Sequence, residues 1–338
     1  MSYNGDEIIK INALLIGNAS GKYPGAILPP LSASAQKGEL VAVIGRNGIG
    51  KSTLLRTIPR LQPAIGGTVL IYGENTSIFS RHQLAQKIGY ISTEIVKVGH
   101  MRVYDLVALG RFPYTNWIGR IGHHDHSIIK EALQKTGLID FENRLVGEIS
   151  DGERQRAMIA RVLAQNTDIM IMDEPTAFLD ISGKYEIINL MRELTKAGRT
   201  IIFSTHDLNI AIKQADKIWL MHEKDIIEGS PEDLLLRNAF DRLFDSELVG
   251  FNPDDGSINL KAGHCGKIFL EGEETVRHWT VKALARAGFS VTDVKMIPYI
   301  RIDSDPDEWI LFTEASSERF RSLYDLVSRL NNGMKKFT

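Results

Sequence analysis

A glycine-rich stretch carries residue types that can bind phosphate. The apolar run Leu40–Ile44 is followed by GRNGIGKS, which spans Gly45 to Ser52, and then by a helix-like run, Thr53–Ile58. Glycines let the backbone curl so that successive N–H groups point at phosphate oxygens, and the positive N-terminal end of a following helix faces the same oxygens. The pattern predicts a strand, a phosphate-binding loop and a helix, and hence nucleotide binding.

Two side chains at the end of this loop extend the predicted chemistry. We expect Lys51 to bring a mobile positive charge to the β- and γ-phosphates of a nucleotide. The next residue, Ser52, offers a hydroxyl to Mg²⁺. By itself the loop predicts nucleotide binding and leaves open what the nucleotide is used for.

Two later apolar runs end in polar residues. Residues 169–174, IMIMDE, end in Asp173 and Glu174, and residues 200–204 are followed by Thr205, His206 and Asp207. Continuous apolar strands are typical of buried parallel sheets, whose carboxyl ends face the ligand. After a phosphate-binding loop, we expect Asp173 to hold the Mg²⁺ shell and Glu174 to polarise the attacking water. A lone histidine at a strand end is more often structural, but His206 is predicted to share this edge.

A helix start with two interpretations precedes the first of these runs. Ser150 and Glu153 form an S-x-x-E capping box, and the apolar face of a helix follows. The simpler interpretation is a well-capped helix. The functional one is that Ser150 and the free N–H groups of this helix start bind an anion.

Composition limits the function further. The 338 residues suit two domains, and 40 Lys and Arg against 42 Asp and Glu give a formal charge of -2, which does not indicate nucleic-acid binding. The single cysteine, Cys265, cannot form an internal disulfide, which fits a reducing compartment. We find no signal-peptide pattern and no apolar run of about 20 residues that could span a membrane.

The order of predicted elements suggests two domains and a linker. An α/β phosphate-loop domain is predicted over residues 1–250, with a helical subdomain at about 95–160. Gly, Pro, Asn and Asp concentrate near 251–263, which we interpret as the linker. Residues 264–338 are predicted to form a small α+β domain in the order β-α-β-β-α, with two helices on one sheet face.

Individual helices and strands are also predicted from the sequence pattern. Residues 123–136 form an amphipathic helix with Asp125 as its N-cap. In the second domain we expect a strand at 291–302, a helix at 273–287 with Trp279 on its apolar face, and a helix at 317–330 with Tyr324 on its apolar face.

Four sequence motifs, in this order, resemble the nucleotide-binding subunits of ABC transporters: GRNGIGKST, ISDGERQR, IMIMDEPTAFLD and STHD. The resemblance covers about residues 7–250. Within that family, ALGRFPYTNWIGR at 108–120 resembles the subfamily that energises import of iron siderophores, haem and cobalamin. Those importers pair two such subunits with two membrane-spanning permease subunits, and a binding protein outside the membrane delivers the ligand.

The resemblance implies roles at matching positions. Lys51, Glu174 and His206 would act in ATP hydrolysis, with Glu174 as general base and His206 at the γ-phosphate. The residues that would hold ATP in the loop are Gly45, Asn47, Gly48, Gly50, Lys51, Ser52 and Thr53. Ser150 and Gly152 would cap the γ-phosphate of an ATP held by a second subunit, and Asp180 would lie at the interface. Mg²⁺ would be held by Ser52 and Asp173, with Thr93 and Glu94 beside it.

Three departures from the family pattern stand out. Thr93 and Glu94 occupy the place of a glutamine that contacts metal and permease. Asp151 replaces a glycine, and a carboxylate suits a helix N-terminus but not a neighbouring triphosphate, so we expect it to point away. The aromatic residue that stacks on adenine is replaced by Asn18, for which Tyr23 is a candidate substitute.

The resemblance also implies partners and a location. A second copy of the chain would complete the working pair, because only one loop and one signature motif occur here. The pair would bind two permease subunits at the cytoplasmic face of the cell membrane, would depend indirectly on a secreted binding protein, and would not bind nucleic acid. The alternatives are an ABC-type ATPase acting on nucleic acid or ribosomes and a weakly hydrolysing regulator. Residues 264–338 are expected either to regulate or stabilise the pair, or to be a passive appendage.

Overall fold

The computed structural model describes residues 7–18, 25–93, 100–115, 120–244, 249–252, 257–260, 266–272, 274–303 and 308–334. The chain divides into two compact units, the first made of residues 1–245 and 251–257 and the second of 246–250 and 258–338. Within the described residues, no helix has both the length and the apolar character needed to cross a membrane.

The strands of the first unit, in chain order, are β1 (Glu7–Leu15), β2 (Gly17–Asn18), β3 (Gly25–Ala26), β4 (Leu31–Gln36), β5 (Leu40–Gly45), β6 (Gly66–Ile71), β7 (Glu74–Asn75), β8 (Ile88–Ile91), β9 (Ile169–Met172), β10 (Thr200–Ser204), β11 (Lys217–Met221) and β12 (Ile226–Gly229). Its helices are α1 (Lys51–Thr57), α2 (Arg81–Ala85), α3 (Val103–Ala108), α4 (His123–Lys135), α5 (Asp151–Ala164), α6 (Ile181–Lys196), α7 (Leu208–Gln214) and α8 (Pro231–Leu236). Short 3₁₀ turns lie at Thr76–Ile78, Leu109–Tyr114, Ile139–Phe141 and Ala239–Leu243.

A six-stranded sheet in the order β12-β11-β5-β10-β9-β8 forms the centre of this unit. Its strands are parallel except for β12. Both faces are buried, as β5 illustrates: Leu40, Ala42 and Ile44 belong to one core, and Val41 and Val43 belong to the other. A strand covered on both faces favours apolar residues along its whole length, which explains the apolar runs of β5, β9 and β10.

Two different layers cover the central sheet. An antiparallel sheet in the order β4-β1-β6-β7 shares one core with α1. Helices α3, α4, α5 and α6 contribute to the core on the opposite face. Helices α3 to α5 and the 3₁₀ turns between them correspond to the predicted helical subdomain, and α5 continues to Ala164.

A buried ion pair holds the helical layer together and corrects one prediction. Asp125 is not the N-cap of α4 but its third residue, where its carboxylate accepts a hydrogen bond from the Gly122 N–H at 3.0 Å. The same carboxylate pairs with Arg111 Nε at 2.8 Å, and Arg111 Nη1 donates to the Ala164 carbonyl at 2.8 Å. The Arg111 side chain, which is only 5% exposed, therefore joins the start of α4 to the end of α5.

Replacing Arg111 by methionine is expected to lower the free energy of unfolding by about 3–5 kcal/mol, because the change leaves the Asp125 carboxylate without its buried partner. Lys135→Met is the matched control. Its pair with Glu131 is 54% and 61% exposed, and such helix pairs contribute about 0.3–0.5 kcal/mol. Urea unfolding of both variants makes the comparison, and equal losses would contradict the role assigned to Arg111.

Two short strands interrupt the predicted linker. Strands β13 (Val249–Asn252) and β14 (Ser257–Leu260) pair with each other. The Gly, Pro, Asn and Asp residues of 251–263 indicate turns, but the segment contains regular structure as well.

The remaining elements of the second unit are β15 (Gly266–Glu271), α9 (Glu274–Arg286), β16 (Phe289–Thr292), β17 (Tyr299–Ile302), β18 (Trp309–Phe312), β19 (Ser317–Phe320) and α10 (Leu323–Met334). Five strands form a sheet in the order β16-β15-β17-β18-β19. Side chains of α9 and α10 share one core with this sheet, and the two helices contact each other. The observed order is therefore β-α-β-β-β-β-α rather than β-α-β-β-α.

Two predicted elements of this unit are wrong. Residues 291–302 form two strands, because β16 and β17 pair with opposite edges of β15. Residues 317–330 begin as strand β19, and α10 starts only after Ser322, whose hydroxyl accepts a hydrogen bond from the Asp325 N–H at 3.1 Å. The side chains of Trp279 and Tyr324 are also not in the core, since they are 61% and 79% exposed.

Candidate functional site

The phosphate-binding loop follows the end of β5 and leads directly into α1. Gly48 and Gly50 have φ angles of 78° and 109°, which side-chain-bearing residues rarely adopt. Asn47 is exposed in the loop, and Thr53 is half-buried in the first turn of α1. The predicted order of strand, glycine loop and helix is therefore observed, and the glycines occupy the positions where the backbone needs them.

Lys51 is buried beneath the loop. Its Nζ donates hydrogen bonds to the carbonyl oxygens of Gly45 at 2.9 Å and Arg46 at 3.1 Å. Burial lowers the pKa of the Lys51 amine, and the nearby charges of Glu174 and Asp173 act in the opposite direction. These two hydrogen bonds hold the Lys51 amine against the backbone of the phosphate-binding loop.

The register of the parallel strands brings the predicted polar residues to one edge. Ser204 lies opposite Val43, and Phe203 lies opposite Met172. Strands β5, β9 and β10 therefore end together, so that the loop, Asp173 and His206 share the carboxyl edge of the sheet.

A buried carboxylate at this edge has unused hydrogen-bonding capacity. Asp173 is 1% exposed, and its Oδ1 accepts hydrogen bonds from Ser52 Oγ at 3.0 Å and Ser204 Oγ at 2.8 Å. Its Oδ2 is buried and has no hydrogen-bond partner among the described residues. A carboxylate oxygen and a hydroxyl are the hard ligands that Mg²⁺ prefers, so Ser52 and Asp173 fit a magnesium ion.

Glu174 and His206 form a second hydrogen-bonded pair beside this carboxylate. Glu174 Oε1 lies 2.5 Å from His206 Nε2, and the Glu174 side chain is 27% exposed. Its backbone has a φ of 50°, a left-handed conformation that is uncommon for a residue with a side chain and often occurs at functional sites. The Glu174 N–H donates to Ser204 Oγ at 2.8 Å, which fixes this conformation.

Ser204 connects the Asp173 carboxylate to the Glu174 main chain and is absent from the set predicted from sequence. Its hydroxyl donates to the Asp173 side chain and accepts from the Glu174 main chain. The signal was available, because Ser204 is the only polar residue after Thr200 in a fully buried apolar strand. A buried hydroxyl at the carboxyl end of such a strand needs partners.

The two residues predicted beside the metal have different outcomes. The Thr93 hydroxyl donates to the main-chain carbonyl of Asp173 at 3.1 Å, so it contacts the Asp173 backbone rather than the carboxylate. Glu94 lies outside the described residues. Of the predicted adenine contacts, Tyr23 also lies outside them, and the side chain of Asn18 is not among those described.

The ISDGERQR motif, which contains Ser150 and Gly152, forms the start of α5. The Ser150 hydroxyl accepts a hydrogen bond from the Glu153 N–H at 3.2 Å, and Glu153 Oε2 accepts one from the Ser150 N–H at 2.7 Å. Asp151 pairs with Arg154 at 2.6 Å, so its charge is balanced within the helix. A β-carbon added at Gly152 would point into open space.

Asp180 begins another helix. Its carboxylate accepts a hydrogen bond from the Gly183 N–H at 2.8 Å and caps α6. In the described part of the chain, the hydrogen bonds that join Ser52, Asp173, Ser204 and Glu174 do not extend to Ser150 or Asp180. The structure thus gathers the loop and strand-end residues into one cluster and places the two helix starts outside it.

Comparison with known families matches both units. Residues 28–177 match the ABC transporter family, and residues 265–331 match the iron ABC transporter C-terminal domain. The ferric enterobactin transport ATP-binding protein of Escherichia coli is 36% identical over 226 residues, covering 66% of this chain and 83% of its own length. The iron(3+)-hydroxamate import ATP-binding protein of Bacillus subtilis is 34% identical over 227 residues, covering 66% and 84%.

Solved structures share the fold of the first unit. An ATP-binding cassette from an ABC transporter, crystallised without nucleotide, superimposes with a TM-score of 0.62 at 24% identity and covers 70% of this chain and 95% of its own. A dimeric bacterial ABC transporter cassette superimposes with a TM-score of 0.58 at 26% identity, covering 66% and 99%. Together with the motifs and the strand-end cluster, these similarities show that the chain belongs to the ATP-binding subunits of ABC transporters.

Proposed function

We propose that two copies of this chain hydrolyse ATP and thereby energise import of a metal chelate through a membrane permease. The observation that carries the catalytic part is the hydrogen-bonded cluster at the sheet edge beside the buried Lys51 amine. The importer part is supported by relatives named for ferric enterobactin and iron-hydroxamate transport and by the iron-transporter C-terminal match.

In this mechanism the loop amides and Lys51 hold the ATP phosphates. Ser52 and Asp173 would hold Mg²⁺, which when bound offsets negative charge on the phosphates. Glu174 accepts a proton from the attacking water as general base. The hydrogen bond from His206 orients the Glu174 carboxylate, and we assign the imidazole a second contact with the γ-phosphate.

Completion of each site requires a second copy of the chain. We place Ser150 and Gly152 at the γ-phosphate of the partner's ATP, where free N–H groups at the start of α5 favour an anion. Asp180 lies at the interface in this arrangement. Three large apolar side chains near it are exposed, namely Phe178 at 77%, Ile181 at 78% and Tyr185 at 51%. Such a patch supports a protein contact at this surface.

Ser150→Arg is expected to leave ATP binding by the single chain unchanged and to prevent pairing, because a bulky side chain would occupy the place of the partner's γ-phosphate. Sedimentation with ATP in a Glu174→Gln background measures pairing. Helix α5 should still form with arginine at position 150. The control variant is Ser80→Arg, which removes a helix cap of the same kind from α2. Undisturbed pairs in the Ser150 variant would exclude this placement.

The cargo class is tested by uptake in the source organism. We infer an iron siderophore, haem or cobalamin, delivered by a secreted binding protein to two permease subunits, with this chain at the cytoplasmic face of the membrane. Deletion of the gene should abolish uptake of one radiolabelled ferric hydroxamate, ferric catecholate, haem or cobalamin. The wild-type gene should restore uptake and the Glu174→Gln gene should not. Unchanged uptake of all four would contradict the importer assignment.

A further inference from the structure

The sheet of the second unit has an inner face and an outer face of different character. Along β15, Ile268 and Leu270 belong to the core, so Phe269 between them points to the other face. Leu284 of α9 and Leu326 of α10 belong to the same core. The helices described for this unit therefore cover the inner face and not the face that carries Phe269.

Three aromatic side chains lie side by side on the outer face. Phe269 is in register with Tyr299, and Tyr299 is in register with Phe312. The Tyr299 and Phe312 rings stack at 4.4 Å with an interplanar angle of 7°, and the Phe269 and Tyr299 rings are 6.4 Å apart and inclined at 59°. We call these residues the aromatic row. It crosses three neighbouring strands and is half-buried.

Cationic side chains surround the aromatic row. The Arg301 guanidinium lies 5.5 Å from the Phe312 ring centre, and Lys295 Nζ lies 5.5 Å from that of Tyr299. Both are exposed, as is Lys267, which precedes Phe269 by two residues on the same face. Glu271 also lies on this face, in register with Arg301.

The charge balance of this face favours an anion. The ion pairs found among the described residues of this unit involve Arg277, Arg319, Arg321 and Arg329. Neither Arg301 nor Lys295 takes part in them. Two cations therefore stand next to an aromatic surface, and no carboxylate of the described residues lies within ion-pair distance of either.

We propose that the aromatic row binds a planar aromatic carboxylate of the hydroxybenzoate class. Aromatic rings associate by offset or edge-to-face packing, which Tyr299 and Phe269 offer to a flat ligand. The carboxylate of that ligand would meet Arg301 or Lys295. The site lies in the unit without the phosphate-binding loop, so its occupancy is measurable without ATP and independently of hydrolysis.

Calorimetric titration of the full chain with 2,3-dihydroxybenzoate tests the proposal. Cyclohexanecarboxylate keeps the charge without the aromatic ring, and catechol keeps the ring with little charge at neutral pH. Both should bind at least about fivefold more weakly, since each lacks one of the two contacts, stacking or charge, that would hold the ligand.

Two variants locate the site. Tyr299→Leu removes the central ring, and Arg301→Gln removes a charge from an exposed side chain, and each should weaken 2,3-dihydroxybenzoate binding by about three- to tenfold. Tyr324→Leu is the matched control, because this tyrosine is 79% exposed on α10 and should leave the affinity unchanged. If Tyr299→Leu disturbs folding, as its unfolding midpoint would reveal, Arg301→Gln decides alone.

Three results would overturn the proposal. The first is no binding of 2,3-dihydroxybenzoate to the wild-type chain. The second is equal binding of cyclohexanecarboxylate, which would exclude stacking. The third is a pair of chains without ATP that Arg301→Gln dissociates, which would assign the aromatic row to a second copy of the chain instead of a small ligand.

Discussion

Glu174→Gln is expected to retain ATP binding and to lose most turnover, by a factor on the order of 10²–10⁴, because it removes only the general base. Glutamine has nearly the same shape, and its main-chain N–H can keep the hydrogen bond to Ser204 that holds this residue in its left-handed conformation. Phosphate release measures turnover, and equilibrium binding of ATP measures affinity.

The same variant should accumulate as an ATP-bound pair, because the state that hydrolysis normally resolves would persist. Glu131→Gln is the control, since this carboxylate is 61% exposed on α4 and pairs with Lys135. It should hydrolyse ATP at the wild-type rate. Near-normal hydrolysis by Glu174→Gln would show that Glu174 is not the general base and that another group activates the attacking water.

Lys51→Ala should fail at an earlier step than Glu174→Gln. The buried amine stands beneath the loop and would contact phosphate in both the ground state and the transition state. Loss of a buried charge-assisted contact costs about 2 kcal/mol or more, so ATP affinity should fall by roughly 30-fold or more, and turnover should fall with it.

Lys135→Ala provides the control for this loss of charge, since its side chain is 54% exposed. Fluorescent-nucleotide binding and single-turnover hydrolysis separate affinity from rate. Wild-type affinity with normal turnover in Lys51→Ala would contradict the assignment of the loop. The loop carbonyls of Gly45 and Arg46, which accept from Lys51, would lose this partner, so circular dichroism should verify that the chain remains folded.

The sheet edge that carries the proposed catalytic residues could be predicted from sequence because strong local rules apply there. A glycine loop after an apolar strand and polar residues after two further apolar strands determine where chemistry can lie, and parallel pairing brings those strand ends together. The sequence shows Ser204 only as a polar residue in a buried apolar strand. Its role depends on two partners that follow another strand, Asp173 and Glu174, and no spacing pattern connects them to it.

Predictions from sequence were poorer where the same residues fit both a helix pattern and a strand pattern. The helix at 317–330 was placed too early because Phe320 fits an apolar helical face, but it also fits the alternation of β19, and the Ser322–Asp325 cap marks the true start. Tyr324 and Trp279 match helical periodicity yet are exposed. Helical periodicity indicates which residues lie on the same face of a helix. Tertiary packing decides how much of that face is buried.

The Asp125 prediction shows a related difficulty at a helix start. An aspartate near the beginning of a helix can serve as the N-cap or can reach back from the third position to the N–H of the capping residue. Here the buried Arg111 guanidinium selects the second arrangement, because it holds the Asp125 carboxylate at 2.8 Å. That partner is distant in sequence by more than three helical turns, so local spacing could not identify it.

The central claim is that each ATP is hydrolysed between two copies of the chain. Its most direct test is phosphate release by the wild-type chain, measured at saturating ATP over a wide range of protein concentration. Because pairing precedes hydrolysis in this account, turnover per chain should rise with concentration and level off once all chains are paired, and Ser150→Arg should remain inactive throughout. Turnover per chain that is the same at every concentration, with the protein sedimenting as a single chain, would contradict it.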